Sequence, residues 1–157
     1  MTRWLNAEER CAWLRLAGVM LKLAPALDSQ LQRDSELTHF EYLCLAMLSE
    51  AEEETLRMSE LAGRVSSSLS RLSHVVTKLE SRGWVRRIPC PDSRRVTLVR
   101  LTESGREALV AAAPGHVETV RSLVFDGLGP SDVRALERIA GHIVDRLDAA
   151  DLRTVSG

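Results

Sequence analysis

The sequence predicts a mainly α-helical fold with one small β-hairpin just past its middle. Apolar residues recur at spacings of three and four through most of the 157 residues, which is the period of an amphipathic helix. After Gly83 this period gives way to two β-branched segments separated by prolines, the pattern of a hairpin. The aromatic content is only 4%, so we expect a core built mainly from Leu, Val and Ala. The length fits one domain, which we expect over residues 5–148.

A long amphipathic helix is predicted near the N-terminus, over residues 4–33. Its apolar residues at helical spacing are Trp13, Leu16, Met20, Leu23 and Leu27. Pro25 falls inside this helix and is expected to kink or split it, because proline cannot donate the backbone hydrogen bond. A second helix is predicted to begin after Thr38, with Glu41 completing a capping box three residues on. The largely acidic stretch at residues 50–54 is then expected to end this helix and to form a solvated loop.

Two shorter helices separated by a serine-rich turn are predicted next. The apolar residues of the first are Met58, Leu61, Ala62 and Val65. Ser59 can cap its start. We place a tight turn at residues 66–67 and the cap of the second helix at Ser68, because serine favours turns and caps. The second helix covers about residues 69–82 and ends at Gly83, which suits the position after a helix C-terminus.

The second of these helices is predicted to have two different faces. Its core residues at helical spacing are Leu69, Leu72, Val76 and Leu79. The opposite face is small, polar and basic, and it carries Ser70, Arg71, His74, Thr77 and Lys78.

A β-hairpin with strands at residues 84–88 and 96–101 is predicted to follow, with Arg94 and Arg95 at its tip. Thr102 is expected to cap a helix over about residues 103–126, which contains Pro114. A last helix is predicted over about residues 131–148, and its apolar residues are Val133, Leu136, Ala140, Ile143 and Leu147.

Basic charge is concentrated around the hairpin. Residues 57–100 contain ten Arg or Lys and three acids, a net charge of +7. The rest of the chain carries eleven basic and nineteen acidic residues, a net charge of −8. This distribution favours a polyanionic partner for the middle of the chain and no such partner for its flanks.

Helix, short turn, helix and basic hairpin form the layout of a winged helix-turn-helix domain, which binds double-stranded DNA. An α-helix fits the major groove, and small polar residues let its backbone approach the base edges. Arginines of the hairpin can lie along or inside the adjacent minor groove. The predicted DNA-contacting residues are Ser68, Ser70, Arg71, Ser73, His74, Lys78, Arg86, Arg94 and Arg95. Of Arg86 and Arg87, we expect one to contact phosphate and the other to pack or to pair with an acid.

Residues 58–102 resemble the DNA-binding region of the MarR family of bacterial transcriptional regulators. The matching segments are residues 58–62, 78–80, 82–87, 91–95 and 99–105, together with Leu72 and Val76. The resemblance extends over about residues 5–148. It implies a homodimer with a DNA-binding core at residues 38–102 and interlocking dimerisation helices at residues 4–33 and 103–148.

The resemblance also implies a recognition helix at residues 68–82, a wing at residues 86–97 and a pseudo-palindromic DNA site. One position departs from the family pattern. An aspartate usually lies two residues before the wing arginine that Arg95 matches, and here that position is Ser93. Either Asp92 takes over the pairing with Arg95, or the wing tip is looser.

Relatives in this family commonly respond to small aromatic or anionic ligands, at a site where the dimerisation helices meet the winged domain. The candidate effector-binding residues are Trp13, His39, Tyr42 and His116. The alternative is that Trp13 belongs to the core and that His39 and Tyr42 line a helix start.

Cys11, Cys44 and Cys90 are widely spaced and odd in number, which argues against a disulfide framework and for a reducing compartment. Cys11 lies near the position at which some relatives sense oxidants, and Arg10 and Arg15 could lower the pKa of its thiol. Cys44 falls in an apolar run and is expected in the core.

Several classes of protein are excluded by what the sequence lacks. The longest apolar runs are far shorter than the roughly 18 residues of a membrane span, and the first six residues contain no signal core. The four histidines show no metal-ligand spacing, and no nucleophile, phosphate-binding or dinucleotide motif appears. We therefore expect a cytoplasmic protein that has no membrane partner and binds no metal or cofactor. We also expect that it is not an enzyme.

These observations together predict a homodimeric, ligand-responsive transcriptional repressor. Two alternatives remain open, a cysteine-based oxidant-sensing regulator and a small-molecule-binding dimer with only weak affinity for DNA.

Overall fold

The computed structural model describes the backbone of residues 1–155 and the side chains of residues 1–150. It confirms a mainly helical fold with a small antiparallel sheet. The chain divides into two compact units, one from Met1 to Val117 and one that begins at Glu118. None of the helices in the described part of the chain is long and apolar enough to cross a membrane.

Helix α1, Ala7–Ser35, begins at a capping box that the sequence analysis missed. The side chain of Asn6 accepts from the amide of Glu9 at 2.9 Å, and the carboxylate of Glu9 accepts from the amide of Asn6. Pro25 lies inside the continuous helix, so of the two expected outcomes the split does not occur. The carbonyl that proline leaves unpaired belongs to Leu21, a residue that is 76% exposed, so water can satisfy it.

The next two helices differ in how well their starts were predicted. Helix α2, His39–Ser49, begins at the predicted capping box of Thr38 and Glu41, with hydrogen bonds of 3.1 and 2.9 Å. A short strand, β1 (Thr55–Arg57), was not predicted and continues directly into helix α3, Met58–Arg64. Because α3 begins straight after Arg57, Ser59 lies inside the first turn and does not cap it, contrary to the prediction.

Helix α4, Leu69–Ser81, follows the predicted serine turn. The side chain of Ser68 accepts from the amide of Arg71 at 3.2 Å, which confirms it as the cap. Ser66, before the helix, has a φ of 50° and Gly83, after it, a φ of 75°, so the backbone is left-handed at both positions. Glycine adopts that conformation without the steric cost that a Cβ brings.

A three-stranded antiparallel sheet has the order β1-β3-β2, with β2 at Val85–Cys90 and β3 at Ser93–Leu101. Val85 pairs with Leu101, and Leu56 of β1 pairs with Val99. The predicted hairpin is confirmed, but its strands extend further than expected, so the turn is at residues 91–92 and Arg94 and Arg95 lie at the start of β3 and not in the turn itself.

The core of the first unit is aliphatic, as predicted. Leu72, Val76 and Leu79 of α4 are fully buried. Leu69 is 54% exposed, so it was wrongly expected in the core, and Trp13 is 50% exposed, which contradicts the alternative that places it in the core of the chain. Leu69 is the first residue of α4 and lies before the turn that packs against the other helices.

Helix α5, Glu103–Val120, begins where the side chain of Thr102 accepts from the amide of Gly105 at 3.1 Å, so the predicted cap is confirmed. A π-helical turn, Arg121–Phe125, extends α5. Helix α6, Pro130–Val155, then runs past the predicted end at residue 148.

Candidate nucleic-acid interface

The outward face of α4 carries the polar residues that the sequence predicts for DNA contact. Its apolar side is anchored in the core, so the opposite side is left exposed. The exposed predicted residues at its start and along it are Ser68, Ser70, Arg71, Ser73, His74 and Lys78. A helix held by one face against α3 and the sheet therefore presents a small, polar and basic surface.

Two cations of this face are also in contact with α2. The guanidinium of Arg71 lies 4.5 Å from the centre of the Phe40 ring, a distance at which a cation is attracted to an aromatic face. Nζ of Lys78 lies 2.6 Å from Oε1 of Glu41, whose side chain is only 2% exposed. The ion pair with Glu41 therefore balances the charge of Lys78, whereas Arg71 forms no ion pair with any of the described residues.

The wing presents three exposed arginines. Arg86 is exposed on β2, and Arg94 and Arg95 are exposed at the start of β3. The amide of Arg95 donates to Oγ of Ser93 at 3.3 Å. Asp92 is exposed and forms no ion pair with Arg95 in the described residues, so the guanidiniums at the tip have no carboxylate that orients them.

Arg87 lies beside these arginines in sequence but is bound to α4. Its Nη1 lies 2.9 Å from Oε2 of Glu80, and its amide donates to Oε1 of Glu80 at 2.8 Å. The amide hydrogen bond, followed by the side-chain hydrogen bond and charge of Arg87, lowers the pKa of Glu80 despite partial burial. The expectation that one of the two arginines pairs with an acid is confirmed for Arg87.

Three of the four candidate effector residues lie together. The ring of His116 on α5 lies 4.2 Å from the ring of Tyr42 and 5.4 Å from that of His39, both on α2. Burial lowers the pKa of His39 and of His116, and Nδ1 of His116 has no hydrogen-bond partner in the described structure. Trp13 lies in the exposed first half of α1 and is not part of this cluster.

An open cavity of about 480 Å³ lies between α1, α2 and α4. Its chemically informative lining residues are Asp28, His39, Phe40, Arg71, His74 and Lys78. Phe40 was missed by the sequence analysis, although its place in the first turn of α2, beside His39, puts an aromatic ring at this junction.

The cysteines differ in their surroundings. Cys11 is exposed on α1, Cys90 is half-buried in the wing and Cys44 is buried in the core. Burial, together with the charge of Glu41, raises the pKa of the Cys44 thiol to about 12.

In the described part of the chain, no group of His, Cys, Asp or Glu residues is arranged to hold a metal ion.

Comparison with known proteins relates this arrangement to one family. The model of the MarR family matches residues 37–97. The structure is similar to that of Sco3205, a MarR family transcriptional regulator from Streptomyces coelicolor in complex with DNA, with 42% identity and a TM-score of 0.90. That alignment covers 93% of this chain and 92% of the other.

Two further proteins support the same relationship. AbsC, a MarR family transcriptional regulator from Streptomyces coelicolor, is 39% identical with a TM-score of 0.88, and the alignment covers 94% of this chain and 99% of AbsC. The transcriptional repressor MprA from Escherichia coli (strain K12) is 29% identical over 107 residues. That match covers 68% of this chain, and the chain spans 60% of the length of MprA.

Proposed function

The chain belongs to the MarR family of transcriptional regulators, and we propose that it is a homodimeric repressor that binds pseudo-palindromic DNA and responds to a small ligand. The observation that carries the DNA-binding role is the exposed polar and basic face of α4, next to the exposed arginines of the wing. The winged helix-turn-helix core is expected at residues 38–102.

Each group of side chains has a distinct role in the proposed complex. Arg71 lies in the first turn of α4 and His74 about one turn further on, both on its exposed face, from where they can reach base edges and phosphates in the major groove. The serines at the start of α4 add short hydrogen-bond donors, and the N-terminal end of the helix favours phosphate. Arg86, Arg94 and Arg95 are free to contact the backbone or to enter a narrow minor groove.

A homodimer is supported by apolar side chains that a monomer would leave in water. In α1 the exposed ones include Trp13, Leu14, Val19, Met20 and Leu21. In α6 they include Leu136, Ile139, Ile143, Val144 and Leu147. Exposed apolar side chains in such number on one helix are typical of an interaction surface. Sedimentation equilibrium should give twice the chain mass of 17.4 kDa, and a mass of one chain would contradict the dimer.

The proposed ligand is a small aromatic anion bound in the cavity between α1, α2 and α4. Arg71 supplies positive charge, His74 supplies a hydrogen-bond donor, and Phe40 supplies an aromatic wall. Because Arg71 and His74 are also proposed to contact DNA, an anion that binds them competes with the DNA phosphates. His39 connects this cavity to His116 and Tyr42, which extend the candidate effector site toward α5.

Fluorescence anisotropy with labelled duplexes from the region upstream of the protein's own gene tests the DNA-binding role. We expect saturable binding to one duplex, weaker binding to a scrambled duplex of equal length, and a steep fall in affinity with salt because counterions are released. Equal, weak affinity for both duplexes would instead favour the small-molecule-binding dimer. Loss of binding on peroxide treatment that a Cys11→Ser variant prevents would favour the oxidant-sensing regulator.

A further inference from the structure

Arg87 on the wing is joined to the recognition helix by a network of hydrogen bonds. In addition to its two contacts with Glu80, its Nη2 donates to the carbonyl oxygen of Ser73 at 2.9 Å and to Oγ1 of Thr77 at 3.0 Å. The hydroxyl of Thr77 in turn donates to the same carbonyl at 2.9 Å. One arginine of β2 therefore binds three residues of α4.

The three partners lie on successive turns of one side of α4. Residues 73, 77 and 80 are spaced by four and three, so their side chains project from neighbouring positions along the helix. The planar guanidinium bridges this row with its two terminal nitrogens, a geometry that the single ammonium of lysine cannot reproduce. This network fixes the rotation of α4 against the wing and not merely the distance between them.

The network is partly shielded from solvent. The side chain of Arg87 is 27% exposed and that of Glu80 is 38% exposed, so solvent screens the pair only in part. The guanidinium is occupied by internal acceptors and is not free to bind a phosphate. The neighbouring Arg86 is exposed and makes no ion pair in the described residues, so it provides a matched comparison.

We propose that Arg87 is a positioning residue for DNA recognition, which holds the recognition helix and the wing in one relative geometry so that both engage the duplex together. This proposal rests on the DNA-binding function proposed above. The rotation of α4 about its axis determines which of its residues face the bases. The direction of β2 and β3 determines where the wing arginines lie. A wing released from α4 must be ordered again at each binding event, which lowers affinity without removing a phosphate contact.

Lysine substitutions separate positioning from phosphate binding, because lysine keeps the charge but not the forked geometry. We expect Arg87→Lys to lower affinity about tenfold with an unchanged salt slope, whereas Arg64→Lys, at an exposed site on α3 outside the proposed interface, retains affinity. Arg86→Ala should flatten the salt slope by about one unit, the signature of a lost phosphate contact. Full affinity of Arg87→Lys, or a flattened slope in Arg87→Gln equal to that of Arg86→Ala, would overturn the positioning role.

A double-mutant cycle and a measurement without DNA complete the test. The effects of Arg87→Lys and Glu80→Gln on affinity should be non-additive, since each breaks the same network. Amide hydrogen exchange in β2 and β3 of the free protein should become faster in either variant, and unchanged exchange would contradict the proposal. If the wild-type protein binds no duplex but exchange responds as expected, the proposed function fails while the structural coupling stands.

Discussion

Lys78 and Glu41 join the recognition helix to the first turn of α2. Nζ of Lys78 lies 2.6 Å from Oε1 of Glu41, and Oε2 of Glu41 accepts from the amide of Thr38 at 2.9 Å. The carboxylate is almost completely buried, whereas the lysine side chain is 55% exposed. One carboxylate therefore caps α2 and holds α4, so a cation predicted for DNA contact also has an internal structural partner.

Replacing Lys78 by methionine should destabilise the protein by about 1–3 kcal/mol, because a buried carboxylate loses its charged partner while the aliphatic stem is retained. The matched control is Arg64→Met. It breaks an exposed pair with Glu60 on α3, which is expected to contribute no more than about 0.5 kcal/mol. Urea denaturation at neutral pH measures both changes. Equal small effects would show that the Lys78 pair contributes no more than a surface ion pair.

Removing the wing charge should weaken binding to all DNA sequences alike. Arg94→Ala is expected to flatten the salt slope by about one unit, since one phosphate-neutralising cation is lost. Anisotropy titrations at four or more salt concentrations, with the proposed site and a scrambled duplex, provide the slope. Unchanged affinity and slope would mean that this arginine contacts no phosphate.

Removing Arg71 should change base preference and not only affinity. Arg71→Ala is expected to cost about 1–3 kcal/mol at one position in each half-site and to relax the preference there. Binding to a set of duplexes with each position varied in turn gives the preference profile, with Arg94→Ala as the comparison. A profile identical to that of the wild type would rule out a base contact by Arg71.

Gly105 is a site where no side chain fits. A Cβ there would collide with the carbonyl oxygen of Trp84 and lie 2.9 Å from Cδ1 of Leu101. We expect Gly105→Ala to lower the free energy of unfolding by about 2 kcal/mol or more, because the start of α5 must move away from the chain before β2. Urea denaturation measures this change.

Gly63 of α3 is the control for this prediction. A Cβ at Gly63 meets no atom within 4 Å, and alanine in a helix is more stable than glycine by roughly 0.5–1 kcal/mol. Gly63→Ala should therefore be neutral or stabilising. If Gly105→Ala behaved like Gly63→Ala, the close approach of α5 to Trp84 would not exist in solution.

Features that depend on a few neighbouring residues could be predicted from the sequence. The capping box of Thr38, the cap at Ser68 and the helix end at Gly83 are all confirmed, because their partners lie within four residues along the chain. The buried face of α4 was also largely predicted, since helical spacing alone determines which residues share a side.

Features that depend on distant parts of the chain could not be predicted in the same way. Strand β1 exists because Leu56 pairs with Val99, and this pairing displaces the start of α3 so that Ser59 is not its cap. The partner of Lys78 is on another helix, and the helical spacing that includes Trp13 does not reveal that its side chain is 50% exposed. Hydrophobic period and charge identify a candidate DNA-binding surface. Only the three-dimensional structure distinguishes the residues that are free to contact DNA from those that bind another part of the protein.

The histidine cluster should make stability depend on pH. Burial lowers the pKa values of His39 and His116 below the ordinary 6.5, although the charge of Asp28 opposes the shift at His39. The unfolded chain therefore binds protons as the pH falls below about 6.5, while the folded chain keeps these rings neutral to lower pH. The free energy of unfolding should decrease through this interval and level off once the pH lies below the folded-state pKa values.

Denaturation at pH 7.5 and 5.5 tests this dependence with two variants. His116→Phe retains an aromatic ring against Tyr42 but cannot be protonated, so it should lose less stability than the wild type between the two pH values. His39→Phe removes the other histidine whose pKa is lowered by burial and should also lose less stability than the wild type. If His116→Phe showed the full wild-type pH dependence, His116 would not be the group whose burial resists protonation, and the effect would have to come from His39 or from the carboxylates.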